Sequence, residues 1–202
     1  MIVIDGQETG LSVNNFANLE ELLVKVMAED ALDNRMVTDV IVNKESFSEI
    51  YPHQAEDIPA QEIESVEIKT MAVPEMAVNI TRELYKVVQL MAHGGRSVAE
   101  LFRQADDAEA LELYQDLLDV TRDFLGMIGV LRDEFGLKES QELNDSLEEI
   151  TSLFTEMIEV SENEDWILLA DLLEYEFLAC VEKWKAVVAK LREDIRHKAK
   201  AA

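Results

Sequence analysis

The sequence predicts an α+β protein in which a small unit of strands and one helix, residues 1–72, precedes an all-α, up-down four-helix bundle, residues 73–202. Three observations predict it. Short apolar runs alternate at period two near the N-terminus, around 37–43 and around 66–70. Beyond Pro74 the apolar residues recur every three or four positions through long stretches. Only three prolines and seven glycines interrupt a chain that is 48% hydrophobic, a composition that folds and leaves long helices unbroken.

The elements follow in order. Ile2, Val3 and Ile4 start a strand, Asp5-Gly6-Gln7 is a turn signal, and Leu11 and Val13 at period two continue an N-terminal hairpin. Asn18 caps a helix whose Leu19, Leu22, Leu23, Val26 and Met27 share one face and which ends near Asp33-Asn34. VTDVIVN at 37–43 is a third strand. Residues 45–62, with Pro52 and Pro59, are irregular, and Val66, Ile68 and Thr70 alternate with charged neighbours as the last strand. The order β-β-α-β-loop-β, with IPAQE (58–62) where a short helical turn falls, resembles the β-grasp, or ubiquitin-like, fold over about a third of the chain. Ubiquitin-type conjugation, which needs a terminal Gly-Gly, is not implied, because the last strand runs on into Met71-Ala72-Val73-Pro74.

Pro74 suits the first turn of a helix over about 75–93, with Met76, Ile80, Leu84, Val87 and Met91 on one stripe and a stop at Ala92-His93 before Gly94-Gly95. Ser97 and Glu100 form a capping box for a short helix with Val98, Leu101 and Phe102. Asp106 and Glu109 open the next helix, striped by Tyr114, Leu118, Thr121, Leu125, Ile128, Leu131 and Phe135 and ending at Gly136. Leu143, Leu147, Ile150, Phe154 and Met157 step by fours and threes as a bundle seam. The last helix, capped by Asn163, continues it through Trp166, Ala170, Leu173, Phe177, Cys180, Trp184, Val187 and Leu191. Its basic residues gather toward its C-terminal end, which the helix dipole favours.

Charge excludes whole classes of partner. Forty-three acidic against eighteen basic residues give a formal charge of −25, which repels nucleic acid and anionic membranes. No apolar run reaches the ~18–20 residues of a membrane span. The start MIVIDGQETG lacks the basic region of a secretory signal, and the single Cys180 supplies no disulfide framework, so the cytoplasm is the expected location.

Candidate chemistry is sparse, and no cofactor is expected. A di-iron bundle needs Glu-x-x-His, which does not occur; the nearest pattern, Asp194-Ile195-Arg196-His197, sits at a basic helix end, so no metal is expected. His93 beside Gly94-Gly95-Arg96 resembles an anion nest only superficially, since no strand precedes it and the P-loop lysine is missing. Cys180 falls on the seam as a buried, inert thiol. His53 and Tyr51, in the irregular loop, are the nameable groups of an enzyme or small-molecule sensor reading that places a site between the two parts.

The most informative stretch is WILLADLLEYEFLACV at 166–181, apolar at 13 of 16 positions where one seam needs two or three in seven. Leu168, Leu172, Tyr175 and Ala179 define a second apolar face, of which Leu168, Leu172 and Tyr175 are the partner-binding candidates. Either this helix is central to the bundle, or the second face binds a protein partner or a second copy; in the latter case a charge at Leu172 spares stability and abolishes association, while one at Phe177 unfolds the bundle. LLADLLEYE resembles an element of uncharacterised bacterial helical-bundle proteins, and the acidic bundle over the last ~100 residues resembles the flagellar export chaperones in shape. The sparse polar chemistry and the surplus apolar helix surface point to a non-enzymatic adaptor, chaperone or assembly factor, and the resemblance implies a pathway in motility or secretion.

Overall fold

The computed structural model describes residues 1–28, 32, 34–50 and 54–201. They form two compact units, Met1–Met76 and Ala77–Ala202.

In the first unit, β1 (Ile2–Ile4), β2 (Gln7–Glu8), β3 (Arg35–Val42), β4 (Glu45–Ser46) and β5 (Val66–Ala72) make one sheet in the order β2-β1-β5-β3-β4. β1 and β5 run parallel, with Ile2 opposite Val66 and Ile4 opposite Ile68; the other pairs are antiparallel. Both hairpin turns use residues that tolerate a left-handed backbone. Asp5 and Gly6 have φ of 48° and 82°, and Asn43 and Lys44 have 51° and 74°, as the twist of a two-residue hairpin demands.

The turn residues also hold the sheet together. The Asp5 carboxylate accepts from the Thr70 amide (2.8 Å), the Thr70 hydroxyl (2.5 Å) and Arg35 Nη2 (3.1 Å), bonds that hold its pKa below the usual carboxylate value. Asn43 Oδ1 accepts from the amides of Glu64 and Ser65. Helix α1 (Leu19–Ala28) starts where expected, with Asn18 Oδ1 accepting from the Glu21 amide at 3.0 Å. Leu19, Leu22 and Val26 are buried in a core with Ile2, Val42, Ile58, Ile63, Val66 and Ile68.

Two expectations are corrected here. Leu11 and Val13 are not strand residues: β2 ends at Glu8, and Val13 opens a 3-10 turn (Val13–Asn15) that buries it. Met27 points to solvent, one position off the buried stripe. α1 is described as far as Ala28, and the stretch on which its expected end near Asp33-Asn34 depends lies outside the described residues.

The second unit is built from α2 (Val73–Arg103), α3 (Asp107–Glu134), α4 (Gln141–Glu162) and a last helical segment of α5 (Trp166–Asp171), a π-helical turn (Leu172–Phe177) and α6 (Leu178–Ala201). Buried side chains from all four segments share one core around Met91, Phe124, Ile150, Met157, Phe177 and Trp184. α3 ends as its sequence dictates: Gly136 takes φ of 59°, and the Leu137 and Gly136 amides donate to the carbonyls of Arg132 and Asp133.

The stop expected at Ala92-His93 does not occur. α2 continues through Gly94 and Gly95 to Arg103, and Ser97 lies within it rather than capping a second helix. The glycines serve packing instead. A Cβ on Gly95 would lie 2.9 Å from Phe177 Cδ1, and one on Gly94 would lie 3.3 Å from Leu117 Cδ1. Phe177 approaches α2 this closely because Gly95 has no side chain, while a Cβ at Gly94 would press on Leu117.

The buried stripe of α3 holds the expected Tyr114, Thr121, Ile128 and Leu131 but uses Leu117 and Phe124 where Leu118 and Leu125 are only partly buried. Asn163 closes α4, its Nδ2 donating to the Glu159 carbonyl, and the cap of α5 is Asp165, whose Oδ1 accepts from the Leu168 amide at 3.1 Å.

Candidate functional site

Two surfaces of the helical unit could take part in binding. The first surrounds the π-turn. An i→i+5 pattern widens the helix, so each residue advances less than the ~100° of an α-helix. Leu168, Leu172 and Tyr175 do not share a face. Leu168 and Tyr175 are 43% and 66% exposed, whereas Leu172 is 4% exposed and belongs to the bundle core. Leu172 is thus corrected from partner-binding candidate to core residue.

Arg103, at the end of α2, holds this turn in place. Its Nη2 donates to Asp171 (2.6 Å) and Glu174 (2.8 Å), its Nε donates to Glu174 (3.0 Å), and these bonds raise the guanidinium pKa above its ordinary value. Beside it Phe102 stacks on Trp166, ring centroids 5.2 Å apart and 3° from parallel.

Between α4 and the π-turn lies a depression of about 410 Å³ bordered by Glu149, Glu156, Tyr175 and Glu176, with Cys180 at its base. The Cys180 thiol is pushed up to about 11, chiefly by burial and secondarily by Glu149, while Lys183 opposes the shift. Lys183 Nζ in turn donates to Glu149 Oε1 at 2.5 Å. A buried protonated thiol among carboxylates is a packing residue.

The second surface is a groove of about 360 Å³ between α2 and α3. Its floor is Met91, Gly94, Leu117 and Val120; Leu90 and Leu113 flank it, and Asp116, Asp119 and Asp123 stand along it. Leu90 is 55% exposed although Val88 and Met91, close to it in sequence, are fully buried. At Gly94 the missing side chain lets Leu117 pack close to α2. Sequence reasoning missed this groove. Its trace was legible, since Leu90 falls off the seam set by Leu84, Val87 and Met91, and Asp116, Val120 and Asp123 follow one another at helical spacing.

The other candidates take no part in these surfaces. His93 lies exposed in the interior of α2, where its amide belongs to the helix, so no nest forms. His197 is exposed near the end of α6. Tyr51 and His53 lie outside the described residues. Among the described residues no three His, Cys, Asp or Glu side chains converge as metal ligands, and no helix is long and apolar enough to cross a membrane.

No curated protein and no solved structure matches the chain. Residues 1–71 match the family described as Domain of unknown function (DUF8043). Residues 79–187, more than half of the 202 in the chain, match the family described as Domain of unknown function (DUF8042), and the chain belongs to that family.

Proposed function

We propose that the protein is a non-enzymatic interaction module, an adaptor, chaperone or assembly factor, that holds a segment of another polypeptide in the α2–α3 groove. The observation that carries this reading is the groove itself: a largely apolar lining, flanked by the exposed Leu90 and edged by Asp116, Asp119 and Asp123. A surface that is apolar in its centre and polar at its edge is what a binding patch requires. The exposed Ile167, Leu168 and Tyr175 around the start of the last helical segment offer a second contact area of the same kind.

The N-terminal unit reads as β-grasp-like, a reading supported by parallel β1 and β5 at the centre of the sheet with α1 packed into its core. The strong negative charge favours a protein partner over nucleic acid, and the likeness of the bundle to export chaperones points toward motility or secretion in the cytoplasm.

Site-specific photo-crosslinking tests the reading. A photoreactive amino acid at position 90, activated in the native cell, is expected to give discrete polypeptide adducts that are absent at an exposed control such as position 8 of β2. Equal, diffuse labelling at both positions would remove the groove from the account.

A further inference from the structure

We propose that the α2–α3 groove is built for a cationic amphipathic helix of about three turns, an inference that rests on the interaction-module reading. Three features specify this occupant. The first is length: from Leu113 to Asp123 the groove follows α3 for ten residues, or ~15 Å at 1.5 Å per residue, which matches about ten residues of a partner helix.

The second is the apolar lining. The half-buried Leu113 and Val120, two turns apart on α3, and the exposed Leu90 on α2 offer contact to an apolar stripe on such a helix, the i, i+3/i+4, i+7 pattern of helix-in-groove recognition.

The third is charge. From Asp107 to Asp123 α3 carries six carboxylates (107, 109, 112, 116, 119 and 123) and one cation, Arg122. Arg122 pairs with Asp119 at 2.9 Å but is 70% exposed, so that pair offers little resistance to exchange for an incoming lysine or arginine. Lysine stems lie along apolar surface while their ammonium groups reach carboxylates at the edge, so one helix satisfies both parts of the groove.

A second copy of this chain fits poorly. Each copy carries −25, and the cation-rich stretch at the end of α6 has its apolar residues, Leu191 and Ile195, already buried in its own bundle.

The test uses the full chain and a fluorescein-labelled fourteen-residue helical peptide of leucine and lysine, with leucines on one stripe, followed by anisotropy at physiological salt. Saturable one-to-one binding is expected, at least tenfold weaker for a peptide of the same composition with its leucines scattered. Glutamate in place of lysine should abolish it.

Leu90→Asp separates this inference from general attraction to an acidic protein. It adds a negative charge, so bulk electrostatics would leave binding unchanged or tighter, whereas the groove predicts at least a tenfold loss with helicity by circular dichroism retained. Unchanged or tighter binding by Leu90→Asp overturns the proposal, as does a self-associated wild type that Leu90→Asp renders monomeric, since the occupant would then be a second copy. If position 90 cross-links discretely while the lysine peptide fails to bind, the interaction-module reading stands and the cationic occupant is wrong. If neither is observed, both fall.

Discussion

At Gly95 two opposing effects meet on a single hydrogen atom. Alanine there gains ~1 kcal/mol of helix propensity, yet its Cβ would lie 2.9 Å from the ring of Phe177, which is buried and cannot swing aside. The clash wins, and Gly95→Ala is expected to lower stability by roughly 1–3 kcal/mol in urea denaturation. Gly126 and Gly129, inside α3, face open space: a methyl group on either would meet no atom of another segment within 4 Å. Gly126→Ala and Gly129→Ala should therefore each stabilise by up to ~1 kcal/mol. Tyr114 presents a different residue-scale imbalance. Its hydroxyl is buried without a hydrogen-bond partner among the described residues, and burial raises its pKa. Tyr114→Phe is expected to be neutral or stabilising by up to ~1 kcal/mol; a loss above ~2 kcal/mol would mean that the hydroxyl is bonded after all. Cys180 sets a pH dependence of definite sign. The unfolded thiol ionises near its ordinary 9.0 and the folded one near about 11, so its contribution is intact below pH 9 and is lost as pH rises from 9 toward 11. Urea midpoints of wild type and Cys180→Ala, compared across that range, should show a shallower decline for the variant.

The elements show which features a sequence can reveal alone. The Asp5-Gly6 turn, the Asn18 cap and the Gly136 helix stop were legible because each depends on a local backbone or side-chain requirement satisfied within a few residues. The Gly94-Gly95 pair was misread for the opposite reason: its meaning resides in Phe177 and Leu117, distant in sequence, and the local rule for glycine says only that a helix ends. The π-turn was equally hidden, because a segment apolar at 13 of 16 positions has no periodicity from which a change of pitch could be read. Its consequence is measurable. Leu172→Glu would bury an unpaired charge in the core and is expected to unfold the bundle, whereas Tyr175→Glu on the solvent side should leave the melting temperature within a few degrees. Comparable loss in both variants would show that Tyr175 is internal as well.

At the scale of the whole molecule, separate cores and separate family matches over residues 1–71 and 79–187 motivate the expectation that the parts fold independently. A fragment of residues 73–202 should be soluble, strongly helical by circular dichroism and cooperative in melting. An unfolded fragment alongside a stable full chain would show that the helical core needs the sheet. The sheet leaves one long border open. β4 is only two residues long and pairs only with Ile41 and Val42, so residues 35–40 of β3 have no strand partner on that side among the described residues. A bare border strand is a template on which other chains can add, the first step toward fibrillar aggregates, and this stretch is where such growth would begin.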